Sequence, residues 1–135
     1  MLFRSLGTGE SLTTSDLSIG VHTITLTVTD SEGGIDVHPI TVPVTNNRPA
    51  ATITGPAEGS SFAAGTAVTL TGTGTDAEDG VLSGTSLVWA SDLDGELGSG
   101  ESLTTSDLSI GIHTITLTAT DSRGGMDAQI GRAHV

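Results

Sequence analysis

The sequence contains a near-copy of itself. Residues 6–37, LGTGESLTTSDLSIGVHTITLTVTDSEGGIDV, recur as residues 97–128, LGSGESLTTSDLSIGIHTITLTATDSRGGMDA, with 26 of 32 positions identical at an offset of 91 residues. Solenoids repeat every ~20–50 residues, so a period of 91 is too long for one. It is the length of a whole small β-domain, about 100 residues for a sandwich. The 135 residues of the chain therefore hold part of one repeat and most of a second. The boundary falls at residues 44–49, Val-Thr-Asn-Asn-Arg-Pro, where an apolar run gives way to a short polar linker and a proline restarts the chain.

Within the repeat the apolar residues alternate with period two. In residues 111–121, His113, Ile115, Leu117 and Ala119 fall on one face, and Thr114, Thr116, Thr118 and Thr120 on the other. Val68 and Leu70 do the same within residues 66–75, Leu87 and Trp89 within 86–92, and Ile53 within 51–55. This is the pattern of half-buried antiparallel strands, one face on a core and one in water. Threonine suits the wet face: it is β-branched and uncharged. Clusters of Gly, Asp and Pro separate the strands, as in GPAEGSS, TDAEDG, SDLDGELGSG and TDSRGG. No segment carries a helical period. The expected core is thin: Ile53, Phe62, Val68, Leu70, Leu87, Trp89, Leu103, Leu108, Ile115 and Leu117.

Composition narrows the function classes. There is no cysteine, which excludes disulfides, thiolate metal sites and thiol catalysis. Sixteen acidic residues face four arginines and no lysine, for a net charge of −12. Such a surface repels phosphate backbones and attracts cations, so nucleic acid is not an expected partner. No apolar run reaches the ~18 residues of a membrane helix.

The two ends read differently from the rest. Leu2-Phe3-Arg4-Ser5 and Ile130-Gly131-Arg132-Ala133-His134-Val135 match translations of a common sequencing adapter and of its reverse complement. The expected organisation is therefore residues 1–45 as the C-terminal part of a truncated repeat, with 1–5 foreign. Residues 46–129 are a second repeat lacking its native last strand, and 130–135 are a foreign tail. Loss of that strand is expected to leave an open sheet edge and a marginally stable domain.

The ordered motifs NRPAATITGPAEGSSF, AVTLTGTGTDAEDG, LVWASDLDGELGSG and GIHTITLTATDSRGG resemble bacterial Ig-like domains of the PKD (polycystic kidney disease) type. The likeness covers nearly all of residues 6–128, and Trp89 stands where that family has its core tryptophan. Two departures stand out. The W-D-F-G-D-G turn typical of PKD domains is replaced by Trp89-Ala90-Ser91-Asp92-Leu93-Asp94-Gly95, and a histidine (His22, His113) replaces the usual tyrosine. The resemblance implies an all-β, Ig-like antiparallel β-sandwich, one partial and one nearly complete tandem repeat. It also implies an exported or cell-surface bacterial protein that carries such domains as structural or adhesive repeats. Its partners would be neighbouring repeats in the same chain, and a surface protein or polysaccharide. The alternative is an accessory spacer or substrate-positioning module of a secreted hydrolase. Many further copies in the reading frame would favour the first, and a catalytic domain after one or two copies the second.

Calcium is the expected cofactor. Asp76, Glu78 and Asp79 follow one strand, Asp121 follows another, and the incoming linker brings Asn46-Asn47, of which Asn47 is the expected ligand. In an Ig-like sandwich these loops share one end, where their oxygens could gather as a hard cation requires. The spacing is not that of an EF-hand, and Asp, Asn and Gly are also plain turn formers. His22 and His113 share parity with the inward residues, which points to packing at a strand start with a ring nitrogen on a backbone carbonyl. Each repeat offers only one such histidine, too few for a zinc site of adjacent histidines. Ser, His and Asp occur together without a G-x-S-x-G elbow, so no enzymatic activity is expected. Residues 6–128 hold two aromatic residues, Phe62 and Trp89, both expected inward, which leaves no exposed ring on which a sugar could stack.

Overall fold

The computed structural model describes residues 4–135; positions 1–3 of the expected foreign N-terminus lie outside the described residues. The chain divides into two compact units, one up to Thr45 and one of Asn46–Val135.

The first unit is a hairpin. Strand β1 (Gly20–Thr29) and strand β2 (Ile35–Val44) pair antiparallel, from Gly20 opposite Val44 to Thr29 opposite Ile35. The turn is closed by Asp30, whose Oδ1 accepts from the backbone N–H groups of Glu32 and Gly34 at 2.8 Å each. Gly33 sits at φ +87°, a conformation that a Cβ disfavours. Many apolar side chains of the hairpin lie open, Leu26 at 59% and Ile40 at 51% exposed, while Ile24, Val42 and Val44 are half-buried.

The second unit is a two-sheet sandwich. Its strands are β3 (Ala50–Gly55), β4 (Ser60–Ser61), β5 (Val68–Asp76), β6 (Gly80–Leu82), β7 (Leu87–Ser91), β8 (Gly95–Ser99), β9 (Ser102–Thr105), β10 (Ile112–Thr120) and β11 (Met126–His134), with one 3-10 turn at Gly84–Ser86. One sheet has the order β4-β11-β10-β7-β8; in the other, β5 pairs with β3, β6 and β9. All these pairs are antiparallel except the short β4–β11 contact. Among the described residues no helix is long and apolar enough to cross a membrane.

The core follows the expected alternation. Val68, Leu70, Leu87, Trp89, Leu108, Ile115 and Leu117 are buried, and Ile53, Phe62 and Leu103 pack against them partly buried. Burial of each large side chain contributes about 1.5–3 kcal/mol. Four small or unassigned positions join them: Ala51, Leu82, Ala119 and Ala133. Trp89 is fully buried, and its indole N–H donates to the carbonyl of Gly100 at 2.8 Å. Facing it on β5 are glycines at inward positions. A Cβ on Gly72 would lie 2.5 Å from Leu117 Cδ2 and 3.0 Å from Trp89 Cζ2. The indole fits only because β5 has no side chain there.

The expected open edge does not exist. Residues 126–134 form β11 on the edge of β10, in the register that β2 takes on β1: Ile112 stands opposite His134 as Val21 stands opposite Pro43. A ladder is made by backbone groups, so residues 130–134 can complete it although their side chains differ from those of β2. Ala133 is fully buried. Two β11 side chains also serve β3: Asp127 Oδ2 accepts from Ala51 N–H at 2.9 Å, and Gln129 Oε1 accepts from Ile53 N–H.

Candidate functional site at the linker end of the second unit

Three segments meet at the end of the sandwich where the linker enters. β5 ends in Asp76, the Asp121–Gly125 turn joins β10 to β11, and Asn46 and Asn47 lead into β3. The turn at Asp121 repeats the hairpin turn of the first unit. Asp121 Oδ1 accepts from Arg123 and Gly125 N–H at 2.8 Å each, and Gly124 sits at φ +88°. This is why D-S-x-G-G occurs twice in the sequence: the carboxylate closes a turn whose backbone only glycine adopts without strain. Asp76 does the same for the next loop, its Oδ2 accepting from Glu78 and Asp79 N–H at 2.9 and 2.8 Å.

The remaining oxygens tie the segments to each other. Asn46 Nδ2 donates to Asp121 Oδ2 at 2.9 Å. Asn47 donates through both its backbone N–H and its Nδ2 to Glu78 Oε1, each at 2.9 Å. Asp79 receives the backbone N–H of Ser122 at 2.6 Å and its hydroxyl at 2.8 Å. The five residues expected to hold calcium lie on the segments that meet at this end: Asn47 is bonded to Glu78, while Asp121 is bonded to Asn46 and Asp79 to Ser122. Among the described residues no three His, Cys, Asp or Glu side chains are grouped as metal ligands. The linker pair Asn46-Asn47 arrives at this end as expected, with Asn46 bonded to Asp121; Ser122 was not singled out, its only signal being the second place of D-S-x-G-G.

The electrostatics are unbalanced. Asp76 is 8% and Asp121 6% exposed. Burial alone would raise the Asp121 carboxyl pKa. The Asn46 amide and the backbone N–H groups of Gly125, Arg123 and Gly124 outweigh it, so the pKa lies below the ordinary aspartate value and the group is an anion at neutral pH. Among the described residues two buried side-chain acceptors have no partner, Asp76 Oδ1 and Asn46 Oδ1. A buried acceptor left unpaired costs about 1–3 kcal/mol. Both are hard oxygens, one of them anionic, which is the donor type that calcium takes.

The opposite end holds a buried histidine. His113 Nε2 lies 2.7 Å from the Ser109 carbonyl, and Nδ1 lies 2.7 Å from Ser91 Oγ. A carbonyl only accepts, so Nε2 carries the proton. Nδ1 then accepts from the Ser91 hydroxyl, which itself accepts from Leu93 N–H at 3.1 Å. Asp94 stands 3.7 Å from the same Nδ1 and binds the backbone N–H and hydroxyl of Ser109. Those two Ser109 bonds hold the Asp94 carboxyl below its ordinary pKa. A proton relay needs serine and aspartate on opposite ring nitrogens; here both face Nδ1, and Nε2 is held by main chain. His22 makes the same Nε2 contact to the Ser18 carbonyl at 2.7 Å, so the histidine is a strand-start anchor in both repeats, as its parity indicated.

Comparison with solved structures fixes the architecture. The fibronectin(III)-like modules of Clostridium thermocellum CbhA match with a TM-score of 0.55 over 88% of this chain, at 20% sequence identity. The fold is an immunoglobulin-like β-sandwich. The chain spans 64% of the length of that CbhA chain. No family model matches the sequence, and no curated protein matches it.

Proposed function

We propose that this chain is a segment of a tandem array of Ig-like, PKD-type domains. Those domains serve as structural or adhesive spacers in a large exported bacterial protein, and calcium stiffens their linker ends. The carrying observation is the 91-residue repeat, expressed twice as a hairpin of the same register. A duplicated scaffold suits a module that positions other parts of a protein. The modular chain of CbhA is similar in fold. The acidic surface keeps such a module soluble where it meets other repeats, a surface protein or a polysaccharide.

In the calcium reading, Asp76 Oδ1 and Asn46 Oδ1 are the primary donors, with Asp121, Glu78, Asp79 and Asn47 completing the set. The ion would neutralise buried negative charge and fasten the linker to the two loops. Binding only the folded state at ten times Kd adds about 1.4 kcal/mol, which raises Tm by roughly 5–10 °C in a domain of this size. Calorimetric titration and thermal melts of the whole chain test this. The expected result is a saturable heat and a rise in Tm with millimolar calcium, both lost in Asp76→Asn, which keeps the acceptor for Glu78 and Asp79. No heat and no shift would end the calcium reading and leave the spacer reading standing.

A further inference from the structure

A deeply buried strand of the second unit, β10, has an almost identical twin, β1, that is far more exposed. In β10, His113 and Leu117 are fully buried and Ile115 is 3% exposed. Their counterparts on β1 are His22, Leu26 and Ile24; Leu26 is 59% exposed, and His22 and Ile24 are half-buried where β10 is buried. Ile40 and Val42 lie on the same face of the hairpin, opposite Ile24 and His22. β10 also has β7 on one edge, pairing Ser91 with Ile115, Trp89 with Leu117 and Leu87 with Ala119. The sheet containing β1 has only two strands, so the equivalent edge carries no neighbour among the described residues.

We propose that this face and edge form a docking surface for one kind of partner, a polypeptide with the strand pattern of residues 46–96, the segment that covers β10 and β11 in the second unit. Each contact of that segment has a matching group on the hairpin. A β7-like strand pairs along β1 and brings a serine hydroxyl to His22 Nδ1, whose Nε2 is already held by Ser18. A β5-like strand lays its glycines over Leu26, as Gly72 does over Leu117. Asp36 stands where Asp127 accepts the N–H of Ala51. In the second unit, Gly131 and Ala133 line a cleft with Ile53, Pro56 and Leu70; Ile40 and Val42 fill the same positions with larger side chains. Three positions are more crowded: Ile40 and Val42 replace Gly131 and the fully buried Ala133, and Val28 replaces Ala119. Ala119 lies 3.3 Å from where a Cβ on Gly74 would be, so Val28 in its place needs glycine opposite and a small retreat of the strand. A second copy of the chain does not fit as the occupant, because its own covering strands already hold β10 and β11. The inference needs the internal repeat alone and is independent of calcium.

The test extends the chain by placing a copy of residues 46–96 directly before Leu6, and reads amide hydrogen exchange. The expected result is that Thr23–Val28 amides exchange about 100-fold more slowly or better than in the original chain, approaching the rates in β10. The gain should vanish when the tryptophan of the added copy is changed to alanine. β10 of the same molecule reports whether the second unit remains folded. Unchanged exchange in β1 would overturn the proposal. So would concentration-dependent dimers of the original chain with protected β1 amides, which would make a second copy the occupant.

Discussion

Trp89→Ala lowers the stability of the second unit by about 3–5 kcal/mol, the cost of a large aromatic truncation in a packed core. The indole is fully buried between the sheets, beside Leu117 and over Gly72. Its loss opens a cavity that cannot collapse, because the neighbouring β5 position has no side chain to move in. It also leaves the Gly100 carbonyl without its indole donor. Small domains hold only about 5–15 kcal/mol in all, so the variant loses a large part of the total. With a urea slope of about 2 kcal/mol/M, the midpoint falls by roughly 2 M. Far-ultraviolet circular dichroism reads the transition, since the fluorophore itself is removed. A loss below about 1 kcal/mol would mean that Trp89 is not in the core.

Gly72→Ala is the second large effect, and its sign is diagnostic. At an unhindered site, replacing glycine by alanine stabilises by about 0.4–1 kcal/mol through the unfolded chain. At Gly72 the added methyl would lie 2.5 Å from Leu117 Cδ2 and 2.9 Å from the backbone oxygen of Thr52. Leu117 can turn aside only against Trp89. The Thr52 oxygen is fixed by the β3–β5 ladder, in which Thr52 pairs with Thr73 and Ile53 with Gly72. Overpacking of this kind costs about 1–3 kcal/mol, and the backbone clash places Gly72→Ala at the upper end. A chemical melt of the variant beside the original chain measures it; a stabilised variant would refute the packing described for β5.

Much of this architecture was legible because period-two alternation is a direct consequence of the pleat. Val68, Leu70, Leu87, Trp89, Ile115 and Leu117 were placed inward by parity alone, and the structure buries them all. The role of the histidines was also readable, since an inward polar ring at a strand start must find a backbone partner. Gly72 and Gly74 escaped notice because glycine carries no hydropathy signal, although its absence of side chain is what admits Trp89 and Leu87. Ala51 and Ala133 were missed for a similar reason: a methyl group reports little about which face it occupies. The closed edge at β11 was illegible because Ile130–His134 share no side-chain pattern with β2, and the ladder does not require one. At the linker end the convergence of loops followed from strand order. Which oxygens would be satisfied and which left over depended on loop geometry, so the bonds made by Asn46 and Ser122 could not be read from the chain.

The central claim is that two nearly identical strands in one chain differ in stability because one is covered by a sandwich and the other is not. Amide hydrogen exchange across the original chain tests this most directly, with the 91-residue repeat as its internal control. Local sequence is the same, so intrinsic exchange rates are nearly equal, and any difference reports tertiary cover. The account predicts strong protection at Ile115, Leu117 and Ala119 and near-intrinsic exchange at Ile24, Leu26 and Val28. Equal protection of the two sets would contradict it.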